Sequence, residues 1–171
     1  MDKYAFKNIS IRGRVAFGIS CLNTYLNTIY PDKDFSSLID IACKITEDGD
    51  YIDVSTLTFM EIIPQYLYEF DNYKDAEFEY ISEDQYNSFV SLIPKEDSNL
   101  NSIMLAIHET AYAYCYVGVE KNAPDTYPHL ESLISTMNKL SLPLPDINIF
   151  KKFSFEESGG WGNHINRSEY L

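Results

Sequence analysis

Three cysteines are too few and too scattered to build a scaffold. Cys21, Cys43 and Cys115 are odd in number, widely spaced and set among apolar residues. No CxxC pair and no Cys/His ligand spacing occurs, which excludes a disulfide framework and a cysteine-held zinc site. The expectation is three buried thiols in a reducing compartment. Glycine and proline are also scarce, at seven each, which leaves room for long regular elements. A Gly-rich loop followed by Lys-Ser/Thr is missing, and so is GxSxG, so neither a phosphate-cradling loop nor a nucleophile elbow is indicated. No apolar run follows the first basic residues before Arg12, and the apolar runs elsewhere are short or interrupted. The chain therefore reads as cytoplasmic and soluble, with no signal peptide and no membrane span.

Basic residues are few as well: 13 against 26 acidic ones, a net charge of −13. The imbalance is local. Residues 31–97 hold 17 acids against four lysines, a charge equal to the whole net value. Such a field repels nucleic acid and steers basic partners towards itself.

What remains is a chain of 171 residues, 45% hydrophobic, long enough for one domain, 1–171, with a real core. The periodicity predicts an all-α fold. The longest apolar segment, Ser98 to Val119, has Leu100, Ile103, Met104, Ile107, Ala111, Tyr114 and Cys115 at helical spacing, with a second apolar set around them. It is expected to be one buried central helix, capped by Ser98 or Asn99, with the other helices packed on several sides. Further helices are expected from Arg12 to about Tyr30, stopped by Pro31, and from Phe35 to Ile45, with Asp34 a candidate cap. Another should run from Asp53 or Ser55 to Ile63, broken or kinked at Pro64. Glu47-Asp48-Gly49-Asp50 reads as a polar turn. Ser82 to Gln85 is a capping box opening a helix that Pro94 ends. Pro128 suits the first turn of a helix through Leu140. A short β element at either terminus is allowed, since Ile9 and Ile11 alternate with polar residues.

Residues 69–84, EFDNYKDAEFEYISED, carry the most unusual pattern. Seven acids face one base, Lys74, with aromatic residues threaded between them. One reading is a solvated acidic face; Glu83 and Asp84 also suit a helix dipole. The other is a partner-binding surface formed by Glu69, Asp71, Tyr73, Asp75, Glu77, Glu79, Tyr80, Glu83 and Asp84. There, rings supply buried area and carboxylates supply steering.

No catalytic, metal or cofactor-binding set emerges. His108-Glu109 resembles the start of a metalloprotease motif, but the position four residues after His108 is Tyr112, not a second histidine. His108 reads as a core or groove histidine; a pocket joining it to Glu109 and Tyr112 is the enzymatic alternative. Trp161, the single tryptophan, is either a core anchor for the tail or an interface hot spot.

Two stretches carry a resemblance. Arg12-Gly13-Arg14-Val15-Ala16-Phe17-Gly18-Ile19-Ser20-Cys21-Leu22 resembles the opening helix of small bacterial immunity proteins from polymorphic toxin systems. The helical immunity protein six family is the nearest in character. Gly160-Trp161-Gly162-Asn163 is similar to tails of such proteins. The resemblance implies a cytoplasmic, non-catalytic inhibitor that binds and blocks a cognate toxin domain, by analogy a basic nuclease. It carries over no contact residues. The alternative class is a helical adaptor or regulatory scaffold with an acidic docking surface.

Overall fold

A helix buried on every side needs small residues where its neighbours press closest, and the first long helix has them. In a computed structural model that describes residues 3–48 and 52–171, α1 runs Ile11–Ile29. Ser10 caps it, its Oγ accepting from the Gly13 amide at 3.2 Å. Every residue from Ile11 to Leu22 is buried. A Cβ on Gly18 would come within 2.8 Å of Ile107 Cγ1, and one on Gly13 within 2.7 Å of Ile9 Cγ2. Both glycines therefore permit packing that alanine would obstruct. Tyr30, just before Pro31, closes the helix, donating its N–H to the Leu26 carbonyl.

The other helices are α2 (Ser36–Glu47), α3 (Ile52–Glu61), the single turn α4 (Pro64–Leu67), α5 (Glu83–Leu92), α6 (Ser98–Tyr112) and α7 (Tyr127–Lys139). Short 3-10 turns fill the connections, and one isolated antiparallel bridge, Ile9 with Ser154, is the β element. The fold is all-α, as the periodicity predicts. α1 packs against α6, α2 and α7, and α6 lies against α7 and α3. The Asp34 carboxylate accepts from the Ser36 amide at 2.9 Å. Of the expected turn at Glu47-Asp48-Gly49-Asp50, residues 49 and 50 lie outside the described ones. Among the described residues, no helix is long and apolar enough to cross a membrane.

Two expectations are corrected. The cap of α6 is Asp97, whose Oδ1 accepts from the Asn99 and Leu100 amides at 3.0 and 2.9 Å. Its Oδ2 accepts from the Tyr25 and Tyr30 hydroxyls at 2.6 and 2.5 Å, which tie the cap to α1. A carboxylate with two oxygens can serve both sets, which neither Ser98 nor Asn99 can. Second, α6 ends at Tyr112 rather than Val119, and Tyr116 and Val117 are 63% and 61% exposed. The enclosed helix is accordingly α1, with α6 beside it. The tyrosines at 112, 114 and 116 extend an apolar pattern, but their hydroxyls also favour water, and only Tyr114 turns inward.

The N-terminal end of α1 holds the connections together through Arg14, which is 0% exposed. Its Nε donates to the Ile9 carbonyl at 2.9 Å. One Nη donates to the Ala123 carbonyl at 2.8 Å and the Thr126 hydroxyl at 2.6 Å. The other reaches the Phe6 and Asn122 carbonyls at 3.0 and 2.9 Å. All five guanidinium donors are used, with the Tyr127 and Phe155 rings beside it at 5.2 and 5.5 Å. Among the described residues no carboxylate takes part. Burial pushes its pKa down to about 10, so it remains charged at neutral pH.

Arg12, two residues earlier, donates from its two Nη atoms to the Gly162 carbonyl at 2.8 Å and the Asp48 carbonyl at 3.0 Å. Its backbone N–H meets the Trp161 carbonyl at 3.0 Å. Gly162 has φ +83°, and a Cβ there would sit 2.3 Å from Ser10 Oγ. The tail then follows α2: the Arg167 guanidinium binds Glu47 at 3.0 Å and also pairs with Asp40, and the Tyr170 hydroxyl meets Thr46 Oγ1 at 3.0 Å. Trp161 is half-buried against a small cluster with Ile11, Tyr114 and Ala123, which favours its role as an anchor.

Arg14→Lys keeps the charge but offers three donors in place of five and no planar fork. It should cost about 2–4 kcal/mol in urea unfolding, from carbonyls left unpaired in the interior. A loss below about 1 kcal/mol would show that these carbonyls find other partners.

Candidate functional site

The acidic stretch is built on a buried carboxylate. Glu61, the last residue of α3, is 6% exposed. Its Oε1 accepts from the Glu79 amide at 2.8 Å, and its Oε2 from Tyr80 and Ile81 at 3.0 and 2.9 Å. Three backbone donors thus satisfy it without a cation. The chain before them makes a tight turn with Glu77 at φ +50°, a conformation that glycine adopts freely and glutamate does not. Ile81 is buried, and its carbonyl accepts from the Tyr73 hydroxyl at 2.9 Å. Asn72 caps the preceding 3-10 turn, accepting from the Lys74 and Asp75 amides at 3.1 and 3.2 Å. The capping box of α5 forms between Ser82 and Gln85. The loop is thereby pinned at both ends and at its centre.

Its outer face closes one side of a groove of about 340 Å³. Leu57, Met60 and Glu61 of α3 line it together with Ala76. Tyr66, Phe70, Phe78 and Tyr80 line it, and Glu69, Glu77 and Glu79 stand exposed around it. No lysine or arginine lines it.

Of the nine residues singled out from the sequence, the structure brings Glu69, Glu77, Glu79 and Tyr80 together at this groove. The other five lie outside it. Tyr73 is turned inward, its ring 5.8 Å from both Phe78 and Tyr86, and so serves the loop's packing. Asp75 accepts from Asn72 Nδ2 at 2.5 Å, and Asp71 is exposed. Glu83 and Asp84 occupy the first turn of α5, where the helix dipole favours them.

The last residue of α6 and the turn after it are what the sequence did not offer as a surface. Tyr112, Tyr116 and Val117 are exposed, with the two rings edge-on at 5.7 Å. Exposed aromatic residues grouped in this way mark protein interfaces. A second cleft of about 580 Å³, lined by Lys7, Lys121 and Lys151, is less organised for binding. Its lysines are exposed, and its one ring, Phe155, already faces Arg14.

His108 is 3% exposed in α6. Its Nδ1 lies 3.2 Å from Glu109 Oε1, its ring stacks on Tyr112 at 5.3 Å, and its Nε2 is buried without a hydrogen-bond partner. Among the described residues no group of three or more His, Cys, Asp or Glu is placed to hold a metal ion. Burial pulls the His108 pKa below its ordinary 6.5, and Glu109 opposes this in part; burial lowers His129 as well. The thiols are raised by burial, Cys115 to about 11. No protein-family model matches the chain, and neither a curated protein nor a solved structure was found to be similar to it.

Two outcomes follow from these environments. Glu61→Gln replaces one acceptor oxygen with a donor facing other donors. It should cost about 1–3 kcal/mol and speed amide exchange at Glu79, Tyr80 and Ile81. Unchanged exchange there would mean that the carboxylate does not hold the loop.

The second outcome is a pH dependence. With folded pKa values below 6.5, His108 and His129 take up protons more readily in the unfolded chain. Their contribution to stability is full above pH 6.5 and is lost as pH falls through the folded values. His108→Phe should flatten the loss of stability as pH falls below 6.5, as read from thermal unfolding on the acid side of that value. An unaltered slope would assign the loss elsewhere.

Proposed function

We propose that this protein is a cytoplasmic immunity protein that neutralises a cognate toxin domain by binding it, without catalysing a reaction. The observation that carries this reading is the groove of about 340 Å³, which combines aromatic walls and exposed carboxylates on a loop fixed by Glu61. A rigid surface loses little entropy on binding, rings in a concave site serve as anchors, and carboxylates accelerate the approach of a basic partner. A nuclease cleft is basic because its substrate is anionic, so an acidic inhibitor can occupy it and exclude nucleic acid.

The resemblance in the first long helix and the tail adds to this reading. The two stretches that carry it, Arg12–Leu22 and Gly160–Asn163, adjoin through the bonds from Arg12 to Trp161 and Gly162. They form part of the scaffold and not of the groove.

The test is co-expression with the variable C-terminal domain of a large secreted protein encoded beside this gene. The reading predicts rescued growth and a one-to-one complex. Glu77→Lys combined with Glu79→Lys should slow association at least ~10-fold at low salt, with a smaller effect at high salt. Unchanged association kinetics would move the binding surface away from the groove. Capture of a housekeeping complex in place of a toxin domain would favour the adaptor class.

A further inference from the structure

We propose that the groove receives the side chain of a single arginine presented by the partner, stacked against the aromatic walls and held by the rim carboxylates. The inhibitor reading supplies the partner; the chemistry of the pocket supplies the arginine.

The cavity, about 340 Å³, is roomy enough for one long side chain with some water. Tyr66, Phe70, Phe78 and Tyr80 bring four rings to its surface, and ring faces attract cations. Elsewhere in the chain, rings that meet a cation meet one of its own: Lys33 lies over Tyr30, Lys95 over Tyr68, and Lys152 over Phe153. The groove has no such internal match. Among the described residues, Glu69, Glu77 and Glu79 form no ion pair, and no base lines the cavity. Glu61 also lines the cavity, but its carboxylate is already engaged by three amides, one at Oε1 and two at Oε2.

What is unmatched is therefore three exposed carboxylates above an aromatic surface. A guanidinium fits both features at once. It is planar, stacks on rings, is weakly hydrated, and forks onto carboxylates through paired N–H donors. An ammonium satisfies the charge but not the plane.

The probe is N-acetyl-arginine methylamide, titrated at low salt into the ¹⁵N-labelled chain. N-acetyl-citrulline methylamide serves as the uncharged isostere and N-acetyl-lysine methylamide as the ammonium. The expected result is saturable amide shifts confined to residues 57–80, with a Kd on the order of millimolar. Citrulline should give none, and lysine should bind several-fold more weakly. Phe70→Ala, at an exposed ring, should weaken arginine binding about fivefold, and Glu79→Gln about two- to fivefold, with the circular dichroism of each variant unchanged.

No shifts, or shifts spread over acidic residues along the whole chain and matched by lysine, would overturn the inference. A basic toxin domain that binds while the arginine probe does not would remove this inference alone. Arginine binding with no toxin domain captured would remove the inhibitor reading and leave the pocket.

Discussion

A buried guanidinium held by carbonyls, with no counter-ion among the described residues, is the constraint on which the rest of the architecture depends. Arg14 sits in the first turn of the enclosed helix and directs its five donors at four backbone carbonyls and one hydroxyl. Those acceptors belong to the N-terminal arm and to residues 122–126, stretches far apart in the chain. Leaving the charge unsatisfied would cost several kcal/mol, so the arm and the loop must close around it. Arg12 extends the same arrangement to Asp48 and Gly162. These bonds and those of Arg167 and Tyr170 hold the tail across α1 and α2.

Glu61 applies the inverse arrangement at the groove. A cation is satisfied by carbonyls in one place, and a carboxylate by amides in the other. Neither depends on an opposite charge, and this has a consequence for binding. Because the loop at 76–81 is held by an internal carboxylate on its backbone, Glu69, Glu77 and Glu79 are not needed to hold it and stay exposed. The surface charge is thus separable from the fold. The groove is formed before any partner arrives, which is how a small helical protein can present aromatic rings and carboxylates in a fixed relation.

The helices were legible because their signals are local. Pro31 and Pro64 mark ends, Ser82 and Gln85 make the capping box, and Leu130, Leu133, Ile134 and Met137 give α7 its stripe. The acidic stretch was legible by composition, and four of its nine singled-out residues meet at the groove. The end of α6 was not, because pattern reading counts Tyr112, Tyr114 and Tyr116 alike, whereas a tyrosine suits either a core or a wet interface. The roles of Arg14 and Glu61 were hidden for a different reason. Their partners are backbone atoms, which every residue carries, so no residue type at the far end signals the contact. Tyr73, chosen as a contact, belongs to the packing because its hydroxyl reaches the Ile81 carbonyl.

Hydrogen exchange mapped along the chain, alone and then with a captured basic toxin domain, tests the central claim most directly. The account predicts that new protection falls on residues 66–80 and on the exposed aromatic turn at 112–117. The segments around Arg14, at 122–126 and 153–162, should exchange as they do in the free protein. Protection centred on those segments, with 66–80 unchanged, would contradict the account and place the partner on the scaffold face.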